Sequence, residues 1–387
     1  MSVGKIQDIV KTESLSGYFL LAGVILAIIV SNTSLHEQYL SIINLPILFG
    51  VGNFKTEVSF LSLVNDGLMS LFFLLIGLEM KYHLVKGEYN DKTKLILPAV
   101  AAIGGLVFPA LIYIYFNYGQ PTIRGWAIPI ATDTAFVLCI LSFYGRKISL
   151  DLRVFILGLS LIDDALAVII LAIAYSKTIN SAAILICLLC IAVLCIINYL
   201  KVKNYGYYLF VGFVLWAAIV EAGIHGTLAG IILALFIPVT IKDSNVSPLK
   251  ELEHSLHPLV NYIILPVFAF INSEVPIKSM LLSDLYSNIS LGIIFGLFIG
   301  KQTGVFVFTY IAVKMNYCKL PYNTSWKKYY AVAILSGIGF TLSLFIGGLC
   351  FYNPSQINAM RLAVILASLL SAILGMLVLK YETKTIN

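Results

Sequence analysis

The chain has 387 residues, 60% of them hydrophobic and only 11% charged, with a mean hydropathy of +0.96. Those values exclude an ordinary soluble globule, in which about a quarter of the residues are charged. The formal net charge of +6 invites a nucleic-acid reading, but the basic residues cluster in the loops between apolar runs, as they do in membrane proteins.

A membrane-spanning helix needs about 20 apolar residues. Twelve runs approach that length, near 14–32, 60–82, 95–117, 122–143, 153–175, 181–200, 206–220, 223–238, 257–272, 289–313, 329–350 and 360–379. Alternating strands are absent, so the fold class is all-α and polytopic rather than a β-barrel, with residues 1–387 read as one integral membrane domain. Lys5, Asp8, Lys11 and Glu13 precede the first run and no small-residue cleavage site follows it, so no cleavable signal peptide is expected. With loops alternating, nineteen of the 25 Lys and Arg fall on the side of both termini, five on the other, and Lys301 inside a run. This positive-inside bias puts both termini in the cytoplasm.

Segment 33–59 carries Pro46, Gly50, Gly52 and Asn53 among apolar residues, the pattern of a small external hairpin. In the second run Asp66 and Glu79 stand near opposite ends and can reach the interfaces. The fourth run, Trp126-Ala-Ile-Pro-Ile-Ala-Thr-Asp-Thr134, places Pro129 just ahead of Asp133. Proline removes a backbone donor, which predicts an interrupted helix. The fifth run reads VFILGLSLIDDALAVIILAIA over 154–174, with Asp163 and Asp164 adjacent at its middle. A charge there costs about 2.5–3.5 kcal/mol on insertion scales, and such residues mark ion or proton pathways. In the sixth run Cys187 and Cys190 form a CxxC pair with no His nearby, read as packing thiols. Glu221 lies in a short turn between runs and is read as interfacial. Lys301 sits about a dozen residues into its run and either needs a carboxylate partner or must lose its proton. The eleventh run contains Gly337 and Gly339, a second candidate break.

An internal repeat links the halves. At an offset of 208 residues Arg153 falls on Arg361, Ser160 on Ser368, Asp133 on Thr341, Pro129 on Gly337 and Asp163 on Ser371. The copies start on opposite sides of the membrane, as in the inverted repeats of transporters, whose ion sites lie at the repeat interface. Asp163 and Asp164 are about 100° apart on a helix, so one can face Lys301 while the other faces a cavity. With Thr132 and Asp133 they offer oxygens suited to a hard cation such as Na⁺ or Li⁺. Adjacent buried carboxylates repel, so a cation and a proton compete for them as one coupled pair. Such competition gives exchange when the site faces alternate sides.

The segments NDGLMSLFFLLIGLEMK (65–81), GWAIPIATDTAFVL (125–138), LSLIDDALAVII (159–170), HGTLAG (225–230), LEHSLHP (252–258) and SGIGFTLSLFI (336–346) resemble those of the bacterial NhaA-type sodium/proton antiporters over nearly the whole chain. The resemblance implies about twelve helices, an inverted repeat with two crossed interrupted helices, and electrogenic, pH-regulated exchange of cytoplasmic Na⁺ or Li⁺ for external protons across the bacterial inner membrane. It implies no enzyme activity, no cofactor, no nucleic-acid partner and a lipid-embedded homodimer. By matching position, Asp163 and Asp164 are the ion and proton carriers with Thr132 as a further ligand, Lys301 pairs with Asp163, and Asp133 and Lys301 compensate the half-helix ends. Glu79, His225, Glu253, His254 and His257 match positions tied to pH response. His83 and the Lys250-Glu251 pair depart from the family pattern, which puts the pH profile, not the transport chemistry, in question. A proton-coupled solute transporter is the main rival. An intramembrane aspartyl protease lacks its GxGD sequence here, and a DDxxD prenyl-transfer site lacks its second anchor, because Ala167 stands there.

Overall fold

A computed structural model describes residues 3–51, 54–87, 89, 92–175, 180–241, 247–276 and 282–384. Ten helical segments among the described residues are long and apolar enough to cross a membrane, and two shorter apolar helices, Tyr205–Glu221 and Thr227–Phe236, occupy the other two expected runs. At 1.5 Å per residue the ten-residue Thr227–Phe236 helix is about 15 Å long, half the hydrocarbon thickness. Its start follows a turn in which Gly223 has φ +79°, and Pro238 stops it two residues past its end. Large apolar side chains such as Leu188, Phe210 and Ile173 lie on the outside, as a lipid-facing surface requires.

The chain divides into two compact units. The first comprises Met1–Asn32, Asp91–Ala167 and Asn272–Asn387. Apart from the last seven residues of Leu150–Ala174, it holds the inverted repeat: helices Lys92–Asn117, Pro121–Ser142 and Leu150–Ala174 against Asn288–Lys314, Trp326–Cys350 and Pro354–Lys384, the middle member of each triplet being broken. The break in the first copy runs from a 3-10 segment, Pro121–Ile130, through an extended stretch to Thr134–Ser142. In the second copy Trp326–Leu335 gives way to Phe340–Cys350.

The two copies meet at their own equivalent positions. A Cβ built on Gly104 would strike the Gly304 carbonyl, and one built on Gly304 would strike the Gly104 carbonyl. Phe108 and Phe308 pack edge to face at 6.1 Å. Here the offset is 200 residues, against 208 at the breaks, because the connections within the two copies differ in length. Glycine lets the backbones touch at this crossing. We predict that Gly304→Val prevents the close approach and lowers the yield of folded, monodisperse protein severalfold in detergent, overpacking of this kind costing about 1–3 kcal/mol or more.

The second unit comprises Thr33–Asn90 and Val168–Ile271. Its hairpin pairs Pro46–Val51 with Phe54–Ser59 antiparallel, Pro46 opposite Ser59 and Val51 opposite Phe54, as the turn residues of this segment predict. The second span passes through a π-helical turn, Leu63–Leu68, into Met69–Val85. The short Thr227–Phe236 helix runs parallel to it, Gly230 against Ser70 and Leu74, and Gly77 against Ala234. Lys81 closes the far end of that short helix: its Nζ donates to Leu235 O at 2.7 Å and Ile237 O at 2.6 Å. A lysine there satisfies carbonyls that have no helical donor and offsets the negative end of the helix dipole. Cys187 and Cys190 are buried in the Ser181–Tyr199 helix as free thiols.

Candidate ion-transport site

The two breaks put helix ends inside the protein. Each end leaves backbone groups without helical partners, and at this depth those groups must be met by protein. Asp133 serves both N-terminal ends. As N-cap of Thr134–Ser142 its Oδ1 accepts from Phe136 N at 3.3 Å, and its Oδ2 accepts from Thr341 N at 3.1 Å and Thr341 Oγ1 at 2.6 Å. Asp133 N–H also donates to Ile338 O at 2.6 Å. The residue and its repeat equivalent, Thr341, are thus in direct contact where the broken helices cross. The C-terminal ends are met from elsewhere. Ile130 O accepts from Lys301 Nζ, and Ser336 O accepts from Thr132 Oγ1 at 3.1 Å.

Lys301 is fully buried. It ends a π-helical turn, Gly296–Lys301, and its ammonium reaches Asp163 Oδ2 at 2.6 Å. Gly105 makes room for it: a Cβ there would lie 3.3 Å from Nζ. The same carboxylate oxygen accepts from Thr132 Oγ1 at 2.9 Å. Asp164, the next residue, is also buried. Thr132, Asp133, Asp163, Asp164 and Lys301 therefore form one buried group, three acids to one base, at the crossing of the two breaks. Ionised throughout, it carries net negative charge, which one ion pair does not balance. Gly337 keeps the crossing tight, since a Cβ on it would press on Leu297 O at 2.5 Å and Ser371 Oγ at 2.6 Å. Ser371, the repeat equivalent of Asp163, is fully buried.

A family model described as Na⁺/H⁺ antiporter 1 matches residues 7–379. A Na⁺/H⁺ antiporter of Rickettsia massiliae is 54% identical over 98% of this chain and 95% of its own length, and one of Saccharophagus degradans is 42% identical over 97% and 99%. The chain belongs to the Na⁺/H⁺ antiporter 1 family. It is therefore a multi-pass membrane transporter and not an enzyme. Among solved structures, a sodium proton antiporter of Methanocaldococcus jannaschii aligns over 98% of this chain and 99% of its own, with a TM-score of 0.55 at 15% identity, a likeness of fold.

In this Na⁺/H⁺ antiporter 1 member the residues matched to pH response, Glu79, His225, Glu253, His254 and His257, fall into two places in the second unit. Glu79, Glu253 and His257 converge at one end: His257 Nε2 stands 3.9 Å from Glu79 Oε1, and Lys250 Nζ pairs with Glu253 Oε1 at 2.6 Å while lying 3.6 Å above the Tyr82 ring. Asn261 contacts the His257 ring at 3.2 Å. His254, on the same Pro248–Leu259 helix, points outward and is exposed. His225 is not part of this group. It lies in the turn before Thr227–Phe236, at the opposite end of that helix, beside Gly226, whose Cβ would meet Trp216; the Trp216 indole donates to Asp66 O at 3.2 Å. Sequence reasoning missed Ser160, Thr134, Gly105 and Ile130 O. The glycines at 296, 300 and 304, spaced four apart, were a legible signal for the close packing that seats Lys301; a backbone carbonyl has no signature in sequence.

Proposed function

We propose that the chain is a secondary antiporter that exports cytoplasmic Na⁺, and Li⁺, in electrogenic exchange for external protons. In this reading it sits in the bacterial inner membrane with both termini in the cytoplasm, as a homodimer. The observation that carries the reading is the Lys301–Asp163 pair at 2.6 Å, shared with Thr132 and set beside Asp164 at the crossed breaks. In the empty, protonated state Lys301 holds Asp163. A Na⁺ or Li⁺ ion arriving at Asp164 draws the Asp163 carboxylate and the Thr132 hydroxyl to itself. That releases Lys301 and displaces the proton that Asp164 carries in the empty state, because a nearby cation favours the ionised carboxylate. Movement of the broken helices then turns the site to the other side. Asp164, together with Asp163 or Lys301, can move more than one proton per cation, which makes the exchange electrogenic. The dimer reading rests on the family resemblance and on the 46–59 hairpin, whose strand edges suit pairing with a second copy.

The test is exchange in everted membrane vesicles from a strain lacking other antiporters. Addition of Na⁺ or Li⁺ is expected to collapse an imposed pH gradient at neutral to alkaline pH. No response to either ion across that range would sink the proposal.

Regulation by pH is assigned to Glu79, Glu253, His254 and His257, with His225 acting separately at the other end of its helix. The His257–Glu79 contact is an ion pair only when His257 is protonated. Glu79→Gln removes that pairing and is expected to displace the pH profile of exchange in vesicles; an unchanged profile would take Glu79 out of the regulatory group.

A further inference from the structure

Ser160 and Thr134 are polar residues inside the repeat unit that the exchange scheme above does not use. Ser160 is 1% exposed and lies four residues before Asp164 on the Leu150–Ala174 helix, so the two share a face one turn apart. Its hydroxyl touches that of Thr134. Thr134 is the first residue of the helix that resumes after the break. Ser160 Oγ also stands 3.5 Å from Thr132 O.

The Thr132 carbonyl is left over by the way the break is capped. Val137 N–H bonds to Asp133 O at 3.2 Å, and Phe136 N–H goes to the Asp133 side chain. The helical ladder therefore begins at the Asp133 carbonyl, and Thr132 O lies outside it. At 3.5 Å the Ser160 hydroxyl is at the limit of hydrogen bonding. Two hydroxyls and a carbonyl outside the ladder thus face one another between the Asp163–Asp164 helix and the segment that carries Thr132. A packing role alone would be served as well by Ala at 160 and Val at 134, without placing a hydroxyl at the buried position 160.

We propose that the Ser160 and Thr134 hydroxyls and the Thr132 carbonyl form the neutral side of the cation site, opposite the charge of Asp164, and set its preference between Na⁺ and Li⁺. The inference rests on the exchange reading above. Neutral oxygens replace hydration water without adding charge, so their number decides how large an ion is fully coordinated. Na⁺ takes more ligands than Li⁺. Loss of one hydroxyl therefore weakens Na⁺ more than Li⁺.

The experiment measures apparent KM and maximal rate for both ions in vesicles carrying Thr134→Val, Thr134→Ser and Ser160→Ala. Thr134→Val keeps the shape and removes the hydroxyl; Thr134→Ser keeps the hydroxyl. Thr134→Val and Ser160→Ala are expected to raise the Na⁺ KM about tenfold, the loss of roughly one buried polar contact, to raise the Li⁺ KM about threefold or less, and to leave the maximal rate within about twofold. Thr134→Ser is expected to stay close to the parent in both KM values. Unchanged KM values in Thr134→Val and Ser160→Ala, or equal damage from Thr134→Ser and Thr134→Val, overturn the inference while the parent protein still exchanges. A parent protein with no Na⁺ or Li⁺ response overturns the exchange reading itself, and this inference with it.

Discussion

Asp164→Asn is expected to reduce Na⁺/H⁺ and Li⁺/H⁺ exchange to background while the protein folds as before. The amide matches the carboxylate in shape, so packing around this buried position is kept. It also removes a buried acidic charge next to the Asp163 carboxylate, which relieves repulsion. The thermal unfolding midpoint in detergent should therefore equal or exceed that of the parent protein. Transport fails for two separate reasons. A charge-assisted contact to the cation is lost, about 1.5–3 kcal/mol, or about 10- to 150-fold in affinity. The amide also cannot take up and release a proton, so raising the cation concentration does not restore exchange. Recovery of the rate at high Na⁺ would show that Asp164 only binds, and retained exchange at ordinary Na⁺ would falsify its assignment outright.

Much of this architecture was legible because lipid leaves few options. Long apolar runs must be helices, and a proline or a glycine pair in mid-run signals a break. The 208-residue offset paired Asp133 with Thr341, and the two side chains meet at 2.6 Å. The depth of Lys301 in an apolar run called for a carboxylate partner or a lost proton, and the structure supplies Asp163. What was not legible follows from local geometry. The Thr227–Phe236 helix ends too early to span, because Pro238 closes a run whose hydropathy continues through it. The offset of 200 at Gly104 and Gly304 is hidden by unequal connections. The π-helical turn at Gly296–Lys301, which aims Lys301, has no residue signature. Ser160 and Thr134 read in sequence as ordinary small residues of a membrane helix. Their contact depends on how the extended stretch at 131–133 lies against the Asp163 helix. His225 shares a motif with the family's pH-response positions, yet sequence spacing does not say which end of a short helix a residue occupies.

Lys301→Ala is expected to be the most destabilising single change in the site. The Asp163–Lys301 pair is buried on both sides, with side-chain exposures of 2% and 0%. Removing the ammonium leaves a buried carboxylate with Thr132 Oγ1 as its remaining donor in this group, and breaking such a pair costs about 3–5 kcal/mol. It also strips Ile130 O of the Nζ donor that meets it at the break. Lys301→Arg is no remedy, because Gly105 and its surroundings fit closely around Nζ and the planar guanidinium needs more room. Adding Asp163→Asn to Lys301→Ala removes the stranded charge, so the double variant should recover most of the lost stability, the part owed to Ile130 O staying lost. A double-mutant cycle on unfolding in detergent measures this coupling. Additive losses would mean that the two side chains do not hold each other in the resting protein, and the release of Lys301 by an incoming cation would lose its basis. A strong coupling together with potential generation that survives Lys301→Gln makes Asp163 the proton carrier and Lys301 its resting partner. Potential lost while exchange persists makes Lys301 the carrier.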